Sequence, residues 1–356
     1  MAVSQRTTWH DRVSQRVRFG DRSLYRLTNT ELLDTRICDL PIQIERTPLA
    51  TRIERVQSEL EQKGMRFRPH FWLSTDWFCP DGVPGVAIPF YLAHPRLMEL
   101  EESQMLEVEG GTDDWCLRIM RHEVGHAIDN AYRIRRMWGF RKVFGKASQP
   151  YPEFYTPRPF SKHYVHHLEA WYAQSHPVED FAETFAVWLK PRSAWRTRYV
   201  GWPALKKLQY VDELMADLAD QPMKVRSRMH VEPLRTIRKT LRDHYKERRA
   251  HYGVDLPNDL DRDLMRLFAP ASKAPHGRSS VAFLKRIRTR LRRDVSDWTG
   301  EYQYTIDQVL SDMIERCEAL DLRVDRPEVD VERQTLIMLT MHVMNYLNAG
   351  LHRIAL

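Results

Sequence analysis

One well-marked helix constrains the fold of this chain more than any other stretch. Thr112 supplies a capping hydroxyl, and Asp113 and Asp114 place acidic side chains in the positive first turn, which predicts a helix from here to about Arg136. Apolar residues recur along it at helical spacing and predict one buried face, made of Cys116, Met120, Val124, Ala127 and Ala131. The chain must therefore build a packed core against this helix.

The predicted strands are few and lie just before this helix. Arg66–Ser74 is short and aromatic, and Gly85–Pro95 follows it after a turn. Pro89 cannot donate a backbone hydrogen bond, which places the second strand at the edge of a sheet. Its Val86–Ala93 stretch is therefore predicted either to bind an extended ligand backbone or to be buried against the N-terminal segment.

The rest of the chain is predicted to be mostly helical. A helix is expected at 163–172 and another at 177–189, where Pro177 suits a first turn. Beyond Gln221 the pattern predicts helices interrupted by a linker of small residues and prolines at 269–280. The expected fold class is α+β, mainly α-helical, with a small sheet and a helical C-terminal region.

The length of 356 residues accommodates two or three domains of roughly 100–200 residues each. We expect an N-terminal helical segment at 1–55, a central domain with the small sheet at 56–220, a helical extension at 221–268, a linker at 269–280 and a C-terminal helical region at 281–356.

Composition excludes several classes of protein. Hydrophobic residues make up 42% of the chain and charged residues 29%, which excludes a disordered tail and an integral membrane protein. The four cysteines form no C-x-x-C pair, which excludes a disulfide framework and a zinc finger built from cysteines. The first twenty residues lack the apolar segment of a signal peptide, so we expect a cytoplasmic protein without membrane contact.

The marked helix carries the sequence H-E-x-x-H. His122 and His126 are four residues apart, so both imidazoles can face one metal ion from the same side of the helix. Glu123 lies beside them, where it can take a proton from a metal-bound water. The alternative is a pair of surface histidines on an amphipathic helix, which the cap and the clean apolar face make less favourable.

A catalytic zinc usually has three protein ligands and an open position, so a third ligand is needed. Glu179 and Glu183 are four residues apart on the 177–189 helix, away from its large apolar side chains. Because buried carboxylates need a partner, we expect Glu179 to be the ligand and Glu183 to accept the N–H of a ligating histidine. A solvated acidic face is the alternative, and the ligand could instead come from His163, His166, His167 or His176. Asp129 could orient His126 or satisfy another buried polar contact.

The segments HEVGHAIDNAY and HPVEDFAETFAVWL resemble a bacterial family of zinc-binding metallopeptidases of the gluzincin type. The resemblance covers about residues 60–255, and a more distant one to the catalytic domain of anthrax lethal factor is confined to the two motif helices. It implies a zincin-like catalytic domain at 56–220 with one Zn²⁺ as cofactor. Carried over by position, it implies His122, His126 and Glu179 as ligands, Glu123 as general base and Tyr172 as a hydrogen-bond donor to the transition state.

The predicted function is hydrolysis of a peptide or related amide bond in a peptide or protein substrate, with no organic cofactor. The alternative is a nucleic-acid-binding or interaction protein with a non-catalytic zinc site. The net charge of +7 permits it, and residues 281–293 would form a basic helix that contacts phosphates. We consider nucleic acid the less favoured partner because acidic residues follow the basic helix at once. The sequence leaves the oligomeric state open.

Overall fold

The computed structural model describes residues 24–152, 155, 157–169, 171–252 and 260–348. The ends of the predicted N-terminal and C-terminal segments, 1–23 and 349–356, lie outside these residues. The described chain is mainly helical with two small sheets, which confirms the predicted α+β class. None of its helices is long and apolar enough to cross a membrane. The domain boundaries stay a prediction.

The elements up to His251 contain the first sheet. In chain order they are α1 (Asn29–Leu33), α2 (Pro48–Gln62), β1 (His70–Ser74), β2 (Gly85–Pro89), α3 (Pro95–Met105), α4 (Asp113–Tyr132), α5 (Trp138–Val143), α6 (Pro177–Leu189), α7 (Trp195–Arg198), α8 (Ala204–Leu218) and α9 (Leu241–His251).

The remaining elements form a helical region with a second small sheet. They are α10 (Leu260–Leu267), β3 (Ala269–Pro270), β4 (Arg278–Ser279), α11 (Ser280–Thr299), α12 (Gln303–Ala319), β5 (Leu322–Val324) and α13 (Glu328–Asn348). Their apolar side chains form one hydrophobic cluster, whereas most of those between Leu24 and Tyr252 form another. Tyr302 joins the two regions by donating a hydrogen bond from its hydroxyl to Glu109 Oε1 at 3.0 Å.

The first sheet consists of β1 and β2 in parallel, with His70 opposite Gly85. Every residue of β2 is buried, and on its other side Ala87 donates its N–H to the carbonyl of Phe78 at 2.9 Å. Because β2 is covered in this way, it offers no free edge for an extended ligand backbone at Ala87. Of the two alternatives predicted for the Val86–Ala93 stretch, burial is therefore correct and the ligand-binding edge is wrong.

Helices α4 and α6 pack against each other at unusually short range. A Cβ added to Gly125 would lie 2.9 Å from Ala182 Cα, closer than side chains tolerate, so only glycine fits at this crossing. Helix α4 ends at Tyr132 rather than at Arg136 because Arg133 adopts a left-handed conformation, with φ of 58°. The small residues at the crossing bring the polar faces of the two helices together.

Two other predictions were wrong. The described residues of 163–172 form no α-helix. The backbone of His167 and Leu168 instead makes hydrogen bonds to Arg118 and Glu183, and a short 3₁₀ helix starts only at Tyr172. The described chain between α8 and α9 contains only a 3₁₀ turn, Leu234–Thr236. The 269–280 stretch interrupts the helices as predicted and contains β3 and β4, which pair with β5 from opposite sides, while its role as a linker stays a prediction. Strands of two residues are too short to show the alternation from which a strand is predicted.

Candidate metal centre

Helix α4 begins where the sequence predicts and presents both histidines to α6. The Thr112 hydroxyl accepts a hydrogen bond from the backbone N–H of Trp115 at 3.3 Å. This cap fixes the first turn, from which helical periodicity places His122 and His126 one turn apart on the face toward α6. Both are buried, with 1% and 9% of their surfaces exposed.

Helix α6 is positioned by a cap that the sequence did not reveal. His176 accepts the N–H of Val178 on its Nδ1 at 3.2 Å, and its Nε2 lies 3.0 Å from the carbonyl oxygen of Gln149. Glu179 and Glu183 project from the following turns and are 2% and 1% exposed. His176 is therefore a structural residue in this arrangement and does not take part in the metal centre.

Three donor atoms converge between the helices. His122 Nε2 lies 3.0 Å from His126 Nε2, and Glu179 Oε2 lies 3.1 Å from each of them. Tetrahedral ligands at the usual zinc distances of about 2.0 Å are separated by about 3.3 Å, so the spacing nearly matches a shared zinc ion. Two imidazole nitrogens and one carboxylate oxygen are also a ligand set that zinc accepts. Among the described residues this cluster alone has the geometry of a metal site.

Glu183 holds His122 from the opposite side of the ring. His122 donates its Nδ1–H to Glu183 Oε1 at 2.9 Å, which keeps that proton on Nδ1 and directs Nε2 at the cluster. The other carboxylate oxygen of Glu183 accepts the backbone N–H of Leu168, also at 2.9 Å. Leu168 lies in the stretch that was predicted to be helical, and its N–H thus fixes Glu183, the residue that orients His122.

The charges of the cluster are strongly coupled. Burial alone would lower the pKa of His122, but hydrogen bonds to Glu179 and Glu183 raise it to about 10. Burial opposes ionisation of Glu179 as well, yet the charges and hydrogen bonds of His126 and His122 hold its pKa well below the usual range. At neutral pH a metal-free cluster therefore keeps a proton on His122, and zinc must displace it to bind.

Glu123 lies next to the cluster without belonging to it. It is 5% exposed, and burial raises its pKa, although the nearby charges of His126 and His122 oppose that shift. A buried carboxylate with a raised pKa is a better proton acceptor than an exposed one, which suits a general base.

Tyr172 and Tyr151 lie at the cluster, and of these only Tyr172 was predicted. Tyr172 is buried with its ring centre 5.5 Å from that of His122, and its hydroxyl makes no hydrogen bond with the described residues. Tyr151 was missed: its hydroxyl donates to Glu179 Oε1 at 2.7 Å, and its ring stacks on His176 at 3.9 Å. Tyr151 belongs to an irregular segment, where no periodic pattern could indicate its contact.

Asp129 does not orient His126 in this structure. It is fully buried and accepts two hydrogen bonds from Arg135, one from the backbone N–H at 2.7 Å and one from Nε. Asp129 therefore makes a buried polar contact at the end of α4, which is the second of the two roles predicted for it. His167 is not a ligand candidate either, because its Nε2 lies 2.9 Å from the backbone oxygen of Arg118.

Comparisons with known proteins agree with the geometry over part of the chain. Residues 116–231 match the model of a family described as "Putative zinc-binding metallo-peptidase", and this stretch contains most of α4 and all of α6. No curated protein and no solved structure matches the chain. The zinc-binding character of the family and the donor cluster together confirm zinc as the predicted cofactor.

Proposed function

We propose that this chain is a zinc metallopeptidase of the gluzincin type, with His122, His126 and Glu179 as ligands and Glu123 as general base. The observation that carries the proposal is the convergence of three donor atoms at 3.0–3.1 Å, directly beside a buried glutamate that is not one of them. A peptide or protein substrate and a cytoplasmic location are parts of the same proposal.

Each residue has a role that follows from its position. Zinc, when bound, supplies positive charge and an activated water near neutral pH. Glu123 holds the proton removed in the attack and passes it to the leaving amine. The Tyr172 hydroxyl, buried and without a partner among the described residues, is available to donate to the oxygen that becomes negative in the transition state.

Two further side chains position the ligands. Glu183 fixes the ring orientation of His122, and Tyr151 occupies one oxygen of Glu179 so that the other faces the histidines. A purely structural zinc site would close its fourth position with another protein ligand, whereas three donors and a neighbouring glutamate suit a site that admits a substrate.

The nucleic-acid alternative has less support because four of the six basic side chains of α11 form ion pairs within the protein. In α11, Arg288 and Arg292 both pair with Asp307, at 2.5 and 3.1 Å. Arg286 pairs with Glu328, and Arg290 pairs with Glu332. Guanidinium groups held in this way are less available for phosphates, and the apolar side of the helix is buried in the second hydrophobic cluster.

The test separates metal binding from chemistry. Glu123→Gln should retain about one zinc per chain, since it removes only the base. Its rate of hydrolysis of a peptide library should fall by about 10²–10⁴-fold. Glu179→Ala should lose zinc, whereas Asp180→Asn on the same turn should keep it, because Asp180 bonds to Lys207 and not to a histidine. If Glu123→Gln empties the zinc site, or if Glu179→Ala leaves zinc content unchanged, the assigned roles are wrong.

A further inference from the structure

A concave site of about 300 Å³ lies outside the metal centre, between the first turns of α4, the end of α6 and the chain that leads into α7. Its lining is rich in basic side chains: Arg118, Lys190, Arg192 and Arg198, together with His166 and His167. Asp114 contributes one acidic side chain to the lining. The lining is thus clearly positive, and its volume falls at the lower end of the range for small-molecule sites.

Three of the four lysine and arginine side chains that line this pocket lack acidic partners among the described residues. Among the residues that the structure describes, no ion pair is found for Lys190, Arg192 or Arg198. By contrast, Arg196 in the same stretch pairs with Asp212 at 2.6 Å. Arg118 shares its charge with Glu169, at 3.1 Å. Positive charges brought together with few counter-charges repel one another, so the arrangement favours an anion between them.

The backbone that carries these residues is strained. Arg192 and Ala194 have φ values of 55° and 48°, a left-handed conformation that residues with a Cβ adopt at a cost. Such strain persists where surrounding contacts enforce it, and it is concentrated at binding sites. Both residues lie in the chain between α6 and α7, which also carries Lys190 of this cavity, and Arg198 of the same cavity ends α7.

The pocket shares a wall with the metal centre. Arg118 precedes His122 by one helical turn, so the two side chains lie on the same face of α4. The backbone oxygen of His167 accepts a hydrogen bond from Arg118 Nε at 3.0 Å, and the next residue, Leu168, donates its N–H to Glu183. The two sites are therefore neighbours but use different side chains.

We propose that this pocket binds the phosphate group of a small molecule. Phosphate carries nearly two negative charges at neutral pH and several acceptor oxygens, and arginine side chains bind it with paired hydrogen bonds. Three unpaired cations and one shared guanidinium suit this charge better than a single carboxylate. The cavity exceeds the size of one phosphate ion, which favours a phosphorylated small molecule over free phosphate.

The binding test uses metal-free full-length protein, so its result does not depend on the proposed peptidase activity. Inorganic phosphate is titrated by calorimetry at constant ionic strength, with sodium chloride as the balancing salt. We expect saturable binding to the wild type and at least a 10-fold weaker affinity in Arg192→Gln/Arg198→Gln, whose altered side chains are exposed. The control, Arg196→Gln, changes an arginine of the same stretch that lies outside the pocket and should bind as wild type.

Two results would overturn the proposal: no saturable phosphate binding by the wild type, or equal affinity in the wild type and the double variant. Ribose 5-phosphate distinguishes the source of the phosphate group. Tighter binding than inorganic phosphate supports a phosphorylated small molecule, and equal or weaker binding contradicts that source and assigns the pocket to the free ion. Circular dichroism of each variant shows that a lost signal does not come from unfolding.

Discussion

Replacing Glu183 by glutamine tests how the protein orients a zinc ligand. The two oxygens of Glu183 accept two donors, His122 Nδ1–H and the N–H of Leu168, each at 2.9 Å. A glutamine has one acceptor oxygen, so one of these buried donors must face the new NH₂ group. An unsatisfied buried donor costs about 1–3 kcal/mol, and loss of such a ligand-orienting carboxylate typically weakens metal binding about 10–100-fold.

The expected result is therefore a 10–100-fold rise in the zinc dissociation constant, measured by competition with a chelator of known affinity. The free energy of unfolding of the metal-free variant, measured in urea, should be about 1–3 kcal/mol lower than that of the wild type. Asp180→Asn is the matched control: Asp180 is also buried on α6, but it bonds to Lys207 at 2.6 Å, so its loss should reduce stability without changing zinc affinity. Unchanged zinc affinity in Glu183→Gln would refute the assignment of Glu183 as the residue that orients His122.

Two other substitutions test the close packing of α4 against α6 and the hydrogen bond of Tyr151, which the sequence did not predict. Tyr151→Phe removes the hydrogen bond to Glu179 Oε1 and should raise the zinc dissociation constant about 2–10-fold in the same chelator assay; no change would mean that the contact does not position the ligand. Gly125→Ala should gain about 1 kcal/mol from its higher helix propensity, but overpacking against Ala182 should cost about 1–3 kcal/mol. The free energy of unfolding, measured in urea, should therefore fall by up to about 2 kcal/mol. A more stable Gly125→Ala variant with full zinc affinity would contradict the close helix crossing.

The sequence was sufficient for those parts of the site that lie on regular helices. The cap at Thr112 marked the start of α4 correctly, and Pro177 marked the first residue of α6. Helical spacing then predicted which side chains share a face, and the three donor atoms do meet. A capped helix with a period of 3.6 residues carries its geometry in local sequence, so such predictions transfer to three dimensions.

The sequence was insufficient where contacts come from irregular backbone. The bond of Tyr151 to Glu179 and that of Leu168 to Glu183 join helices to segments without periodicity, and nothing local encodes their paths. Asp129 was ambiguous for a different reason: one turn after His126, it could equally reach the histidine or the chain beyond the helix. The left-handed turn at Arg133 brings Arg135 back to it and decides between the two.

Proton and metal compete for the same buried cluster, which predicts opposite pH responses for the metal-free and zinc-loaded protein. The folded pKa of His122, about 10, is above its ordinary value of 6.5, so its contribution to stability is complete below pH 6.5 and is lost as pH rises toward 10. The pKa of Glu183 is lowered from 4.5, because the hydrogen bond from His122 and the charge of His167 outweigh burial; its contribution is present above pH 4.5 and lost below. In the metal-free protein the stabilising contribution of this cluster should therefore be largest between about pH 4.5 and 6.5, whereas zinc affinity should rise with pH through this range as the competing proton leaves. Melting curves at graded pH, with zinc and with chelator, measure both. Parallel pH profiles for the two forms would show that His122 does not exchange its proton for the metal.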